Sequence, residues 1–291
     1  MTRRRALIHG GLFVVSCITT SIVGGVAFGA TLMAILTCHE FGHYFVARRR
    51  GVEVSLPYFI PLPPIGTTGT LGAVIDMKAI EDRRSLFDVG AAGPIAGLVV
   101  AIPLLVIGLS ISHVGPIKAG DNLEGNSILY ALLKYAVFGR WLPGDGVDVQ
   151  LHPMAEAAWV GLLVTMINLI PIGQLDGGHV ARAALGQGHE RWSARLHVAM
   201  IAVGVVVAGV MFGNAAAAGK DALDSLGYAA RCAAPWFVWT VLLGAMRRYS
   251  GGEYHPPVSD VPLDPLRRKL AIAMLVLFVL IATPVPARPV L

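Results

Sequence analysis

The feature that most constrains the fold of this chain is a series of long apolar stretches separated by short polar segments. Seven such stretches run approximately over residues 6–28, 31–47, 86–111, 155–170, 194–213, 229–246 and 270–282. A helix needs about 20 residues to cross the hydrocarbon core of a bilayer, and the last stretch is short for a full crossing. The pattern predicts an all-α polytopic membrane protein with six or seven transmembrane helices.

The composition favours a membrane protein over a soluble one. Charged residues make up 14% of the chain and hydrophobic residues 55%, whereas a soluble domain carries roughly 25% charged residues. The net charge of +5 could indicate nucleic-acid binding. However, most lysines and arginines fall on one side of the membrane if the N-terminus is cytoplasmic and the spans alternate, as the positive-inside rule expects. We therefore expect the lipid bilayer, and no nucleic acid, among the partners.

A histidine–glutamate pattern lies within the second apolar stretch. The motif "HEFGH" places His39 and His43 one helical turn apart on the same face, with Glu40 adjacent to that face. Two imidazoles in this arrangement can bind one metal ion, and the glutamate can act as a general base. Ionisable side chains at membrane depth are costly and usually functional. The motif predicts His39 and His43 as metal ligands and Glu40 as the catalytic residue.

A catalytic zinc site takes three protein ligands, so a third ligand is required. The acidic candidates near membrane depth are Asp76, Asp88, Glu156 and Asp176. Asp176 is the strongest, because it lies in "NLIPIGQLDGG", where a proline and several glycines interrupt the helix. Irregular backbone at this depth is tolerated where it lines a polar cavity. The alternative is that Asp176 is a solvated helix cap at the membrane surface.

The motifs "HEFGH" and "NLIPIGQLDGG", with "GTLGAVIDMK" and "DVGAAGPIAG" between them, resemble the site-2 protease family of intramembrane zinc metalloproteases. The resemblance implies one zinc ion (Zn2+) held by His39, His43 and Asp176, with Glu40 as the catalytic base. It also implies that Asn168 helps to hold the substrate or the developing oxyanion. The family's core is a unit of three transmembrane helices, which correspond here to the second, third and fourth spans.

The resemblance suggests a division of the chain into three parts. An N-terminal transmembrane span at 1–30 precedes a catalytic core at 31–186, and C-terminal transmembrane helices follow at 187–291. Within the core, the external loop at 112–154 is too short for the PDZ domain that many bacterial relatives carry.

The segment 52–78 carries four prolines, which exclude a helix, and its part "TLGAVIDM" has strand character. We predict a short membrane-associated β segment whose exposed edge pairs with an extended substrate, with Gly69 and Thr70 among the substrate-binding residues. This role follows from the resemblance more than from the spacing. The alternative is an apolar loop that lies along the membrane surface.

These features predict a zinc-dependent metalloendopeptidase that cleaves peptide bonds in or near the transmembrane segments of membrane-protein substrates, as in regulated intramembrane proteolysis. Three alternatives remain open: a metal-binding membrane transporter, a non-catalytic homologue that acts as a scaffold, and a peptidase for lipoprotein or signal-peptide remnants. The short basic N-terminus leads us to expect a bacterial inner membrane, with the active site toward the cytoplasmic side. The sequence does not indicate the oligomeric state.

Overall fold

The computed structural model of the protein describes residues 3–65 and 68–291 and is mostly helical. Residues 1, 2, 66 and 67, which belong to the predicted first span and β segment, lie outside the described residues. The helices are α1 (Arg3–Arg49), α2 (Arg83–Ser110), α3 (Ile128–Phe138), α4 (Pro153–Asn168), α5 (Asp176–Leu185), α6 (Gly188–Ala217), α7 (Ala222–Tyr249) and α8 (Pro265–Ile281). The strands are β1 (Tyr58–Pro61), β2 (Thr70–Val74), β3 (His113–Pro116), β4 (Asn122–Glu124), β5 (Val147–Gln150) and β6 (Ala287–Pro289).

Four of the described helices are long and apolar enough to cross a membrane by length and composition, namely α1, α2, α6 and α7. Helices α4 and α8 are shorter, with 16 and 17 residues. The chain is therefore a membrane protein with apolar spanning helices, but the predicted number of six or seven spans is not confirmed.

Helix α1 contains the first two predicted spans and bends sharply at Gly25. This residue has φ 82° and ψ 170°, a conformation that is essentially limited to glycine. A Cβ added to Gly29 would lie 2.8 Å from the backbone nitrogen of Ser21, although residues eight positions apart in a straight helix are about 12 Å apart. The chain therefore reverses at Gly25, and α1 is a helical hairpin with a first half before this residue and a second half after it.

Helix α2 packs closely against the second half of α1, and α4 packs beside both. The close approach depends on small residues, since a Cβ added to Gly42 would lie 2.6 Å from the Ala92 carbonyl oxygen. In the same way, a Cβ added to Gly161 of α4 would lie 3.0 Å from the side chain of Ile35. The core that these helices share is apolar and includes Ile35, Leu98, Leu105, Leu109, Ala158 and Leu162.

The predicted β segment is confirmed as an antiparallel hairpin of β1 and β2. Tyr58 lies opposite Val74 and Phe59 lies opposite Ala73. Main-chain hydrogen bonds continue the pairing to residues 53 and 78. The hairpin packs against the first half of α1, where the ring of Phe13 lies 5.1 Å from the ring of Phe59.

The loop predicted at 112–154 has its own secondary structure, which the sequence analysis did not anticipate. Strand β3 pairs with β5, while β4 pairs with β6 in the C-terminal tail. Lys134 of α3 is fully buried, and its Nζ donates to Asp148 at 2.7 Å and to Glu124 at 3.1 Å. The buried charge is therefore paired on both sides.

Candidate metal centre

The three predicted metal ligands lie together, although they come from two distant parts of the chain. Asp176 Oδ2 is 3.1 Å from His39 Nε2, and Asp176 Oδ1 is 3.3 Å from His43 Nε2. The two Nε2 atoms are 3.2 Å apart, and one ligand atom from each residue lies within 4.8 Å of the other two. Two imidazole nitrogens and a carboxylate in this arrangement can hold one metal ion.

His39 and His43 lie one turn apart in the second half of α1 and face two glycines of α2. A Cβ added to Gly93 would overlap the imidazole ring of His43. A Cβ added to Gly97 would lie 3.2 Å from His39 Nδ1. Glycines four positions apart are typical of close helix packing in membranes, and here the surface that packs against them consists of the two imidazole rings.

The orientation of the His43 ring is fixed by the main chain of α2. Nδ1 of His43 lies 2.8 Å from the carbonyl oxygen of Val89. Because a carbonyl oxygen can only accept, Nδ1 carries the hydrogen and donates it. In the neutral ring the lone pair is then on Nε2, which faces Asp176. Metal-binding histidines commonly make a second contact of this kind. No sequence pattern points to Val89, since its contribution comes from the backbone.

Asp176 reaches the histidines because the connection between α4 and α5 is a compact bend. A Cβ added to Gly177 would overlap the carbonyl oxygen of Leu169, and one added to Gly178 would lie 2.6 Å from that of Ile172. The double glycine therefore lets α5 begin directly against the bend. Asp176 is the first residue of α5, directly after the N-cap Leu175. Its side chain is only 15% exposed and contacts both histidines, so the alternative of a solvated helix cap does not describe it.

Glu40 and Asn168 lie beside this cluster. Glu40 is only 9% exposed, and its carboxylate interacts electrostatically with His43 and Asp176. Nδ2 of Asn168, the last residue of α4, is 3.3 Å from His39 Nε2. The structure thus brings a carboxylate and an amide to the histidines and Asp176, while their catalytic and substrate-binding roles stay predictions.

Gly69 and Thr70 lie at the start of β2, against the first half of α1. The carbonyl oxygen of Gly69 accepts a hydrogen bond from the Thr19 hydroxyl at 2.6 Å. The Thr70 hydroxyl donates to the carbonyl oxygen of Ile60 at 3.0 Å. These contacts hold the hairpin together and attach it to α1. The proposed substrate contacts of Gly69 and Thr70 stay predictions.

The other three acidic candidates are not part of the metal-binding group that the described residues form. Asp76 is exposed on the β hairpin, and Glu156 is exposed at the opposite end of α4 from the cluster. Asp88 of α2 forms ion pairs with Arg50 and Arg267. Its position near membrane depth is therefore explained by charge pairing.

A second histidine contact, which the sequence analysis did not assign, joins α5 to the connection between α7 and α8. His179 Nδ1 is 2.8 Å from His255 Nε2. His255 Nδ1 donates to the carbonyl oxygen of Pro256 at 2.8 Å, so its Nε2 accepts the hydrogen of His179 Nδ1. No pattern in the sequence links these residues, which lie 76 positions apart.

Comparison of the sequence with known proteins assigns the chain to a family. A family model described as peptidase family M50 matches residues 27–211. The probable zinc metalloprotease EGY1, chloroplastic, of Oryza sativa subsp. japonica is 36% identical over 169 residues, which cover 56% of this chain and 28% of that protein. The probable zinc metalloprotease EGY2, chloroplastic, of Arabidopsis thaliana is 30% identical over 264 residues, which cover 89% of this chain and 42% of that protein.

The chain spans less than half the length of these two relatives. No solved structure is significantly similar to it. Because the relatives are chloroplast proteins of plants, the expectation of a bacterial inner membrane is not supported.

Proposed function

The chain belongs to peptidase family M50, and from this premise we propose that it is a zinc-dependent endopeptidase that hydrolyses peptide bonds in or near the transmembrane segments of membrane proteins. The observation that carries the proposal is the convergence of His39, His43 and Asp176 at one point beside Glu40. The names of the similar plant proteins, which are probable zinc metalloproteases, support zinc as the metal.

The residues of the cluster fit a catalytic zinc ion. Two imidazole nitrogens and one carboxylate supply three ligands, and three-ligand sites leave a fourth position for water or substrate. The hydrogen bond to Val89 leaves His43 Nε2 free to coordinate. When bound, zinc polarises a substrate carbonyl and lowers the pKa of water to about 7.

The neighbouring side chains supply the proton transfers and the orientation of the substrate. Glu40 takes a proton from the attacking water and passes it to the nitrogen of the departing peptide. The side-chain amide of Asn168, 3.3 Å from His39 Nε2, donates to the substrate carbonyl oxygen as negative charge develops there. Each role requires the group to be close to the metal ligands, which is where both side chains lie.

The β1–β2 hairpin is the part of the fold that best suits an extended substrate. A transmembrane helix buries its carbonyls in main-chain hydrogen bonds, so the substrate must unwind before hydrolysis. Leu71 and Val74 of β2 are exposed by 70% and 55%, and among the described residues this sheet consists of β1 and β2. We infer that the unwound substrate adds to this hairpin as a further strand, with Gly69 and Thr70 at its end.

The active site lies toward the arginine-rich side of the membrane in this proposal. His43 is followed by Arg48 and Arg49 at the end of α1 and by Arg50 directly after it, and positive residues concentrate on the side that the positive-inside rule describes. Helix α8 begins beside Asp88 on this side. It ends at a tail whose strand β6 pairs with β4 of the loop at 112–154. We therefore propose that α8, about 25 Å long, also crosses the apolar core.

The experiment compares the protein with its Glu40→Gln variant in lipid vesicles that contain a single-span model substrate. Cleavage is followed by mass spectrometry, and bound zinc by inductively coupled plasma mass spectrometry. We expect Glu40→Gln to keep its zinc and to lose cleavage by about 10²–10⁴-fold, the usual contribution of a general base. Glu253→Gln, at an exposed position of the α7–α8 connection, is the matched control and should cleave normally.

Three outcomes would count against the proposal. Undiminished cleavage by Glu40→Gln would show that this glutamate is not the base. A zinc-loaded parent protein that cleaves no membrane substrate would favour a scaffold, while metal uptake that survives Glu40→Gln would favour a transporter.

A further inference from the structure

We propose that Asp88 of α2 and Arg267 of α8 form a positioning pair for the metal site, because together they hold the turn of α2 whose carbonyl oxygen orients His43. The inference rests on the proposed function in one respect, namely that His43 is a metal ligand. Through this pair, helix α8 influences metal affinity, although α8 lies beyond the residues 27–211 that match the family.

The contact between the two residues is specific in its geometry. Arg267 Nε donates to Asp88 Oδ1 and Arg267 Nη2 donates to Asp88 Oδ2, each at 2.8 Å. A guanidinium that binds both oxygens of a carboxylate fixes its orientation as well as its distance. The remaining side of the guanidinium is also held, since Arg267 Nη1 donates to Asp264 Oδ2 at 2.7 Å.

The pair joins three helices. Arg50, directly after α1, also donates a hydrogen bond to Asp88, so the carboxylate connects the end of α1, the second turn of α2 and the start of α8. The side chains of Asp88 and Arg267 are only 18% and 23% exposed. Charges that are mostly withdrawn from water are weakly screened by salt, so this junction restrains the helices more firmly than a surface ion pair.

The restraint reaches the metal site through one peptide unit. Val89 follows Asp88 in the chain, and its carbonyl oxygen accepts the hydrogen of His43 Nδ1 at 2.8 Å. The same ring lies directly against Gly93, where an added Cβ would overlap it. A small shift of the first turns of α2 would therefore turn His43 Nε2 away from Asp176.

A simple structural role would give the same contacts but a different response to mutation. An ion pair that only joins helices affects folding. Its removal would then weaken the contributions of His39, His43 and Asp176 to zinc binding alike. A pair that acts through Val89 affects the contribution of His43 and leaves those of His39 and Asp176 intact. The two roles can be separated by measuring zinc affinity in the presence and in the absence of the His43 imidazole.

The first measurement is zinc affinity of the full chain in detergent, by competition with a chelating indicator and without any substrate. We expect Arg267→Ala to weaken zinc binding about tenfold, the lower end of the effect of outer partners of metal ligands. Arg267→Lys keeps the charge but loses the bidentate contact. Its zinc affinity should lie between those of the parent protein and Arg267→Ala. Arg268→Ala, an exposed neighbour on the same helix, is the control and should bind zinc normally.

The second measurement repeats Arg267→Ala in a His43→Ala background. We expect no further loss of the residual affinity there, because the group that the pair positions is missing. Parent-like zinc binding by Arg267→Ala, or the same fold-loss in both backgrounds, would overturn the proposal. If Arg267→Ala does not fold, Arg267→Lys is compared in both backgrounds by the same criterion.

Histidine-ring NMR of the metal-free protein gives an independent readout. The His43 resonance, identified by its loss in His43→Ala, should shift in Arg267→Ala, while the His197 resonance should not. An unshifted His43 resonance would overturn the proposal. Because none of these measurements uses a substrate, an absence of proteolysis would reject the proposed function without altering their result.

Discussion

Asp176 Oδ2 lies 3.1 Å from His39 Nε2, although 137 positions separate the two residues in the chain. The same carboxylate reaches His43 Nε2 with its other oxygen, at 3.3 Å. One carboxylate thus bridges two imidazoles that a single helix presents. The metal centre depends equally on the second half of α1 and on the bend between α4 and α5.

The first prediction concerns this carboxylate. Asp176→Asn keeps the size of the side chain but removes its charge, and we expect zinc affinity to fall by about 100-fold or more. Even residues that only contact a metal ligand contribute about 10–100-fold, and Asp176 is a direct ligand in the proposed site. The measurement is zinc content after dialysis against buffered free zinc. Asp145→Asn in the exposed part of the 112–154 loop is the control, and one tightly held zinc per chain in Asp176→Asn would contradict the assignment.

The second prediction concerns the surface that receives the histidines. Gly93→Ala adds a methyl group where the His43 ring lies, so α1 and α2 must separate or the ring must rotate. We expect overpacking to cost about 1–3 kcal/mol of unfolding free energy, together with a clear loss of zinc affinity. Both are measured on the same detergent preparation, by thermal unfolding and by chelator competition.

Gly209→Ala of α6 is the matched control for Gly93→Ala. An added Cβ at this position meets no atom within 4 Å, so the variant should keep parental stability and zinc affinity. If Gly93→Ala behaved like this control, the close contact between Gly93 and His43 would not exist in the folded protein.

Local spacing was sufficient to predict two of the three side chains that the structure brings together as a possible metal site. His39 and His43 share a helix, and four positions in a helix always make one turn. Asp176 required a choice among four acidic residues, which the glycines around it and the resemblance to a family decided. The rejection of Asp88 could not be predicted, because its main partner, Arg267, lies 179 positions away and no local pattern links them.

The fold, like the site, was predictable only in part. Hydropathy located the apolar helices and proline placement located the β hairpin. The reversal at Gly25 was not located, because Gly24, Gly25 and Gly29 are equally permissive in sequence and the choice among them depends on tertiary packing. Strand β4 was missed for a different reason, since its partner β6 lies near the other end of the chain.

The third prediction concerns this reversal. Gly25→Ala places a Cβ on a residue with φ 82° and ψ 170°, where conformational strain is of the order of 1–3 kcal/mol. We expect the thermal unfolding temperature to fall accordingly. Gly10→Ala, in the first half of α1 with no atom within 4 Å of the added Cβ, should leave it unchanged or raise it slightly. Equal unfolding temperatures for the two variants would show that the helical hairpin does not depend on Gly25.

The fourth prediction concerns the start of α2, the helix that carries Asp88 and Val89. Burial raises the pKa of Asp82, but hydrogen bonds from the hydroxyl and backbone N–H of Ser85 and from the backbone N–H of Arg84 outweigh it, so the pKa lies below its usual value. A carboxyl whose pKa is lower in the folded than in the unfolded state stabilises the fold above its unfolded pKa of about 4. This contribution is lost as the pH falls through the folded pKa.

We therefore expect Asp82→Ala to destabilise the protein by about 1 kcal/mol at pH 7, the usual cost of losing a helix N-cap. The deficit should be smaller at pH 3, because the stabilisation by the parent carboxylate declines as the pH falls below the unfolded pKa of about 4 and through the lower folded pKa. Asp82→Asn keeps a side-chain oxygen that can accept from Ser85, so its deficit at pH 7 should be much smaller. Thermal unfolding at the two pH values provides the measurement. A deficit for Asp82→Ala that is equal at pH 7 and pH 3 would mean that the charged cap does not hold the first turn of α2, and that the position of Val89 is set by the Asp88 ion pairs and helix packing instead.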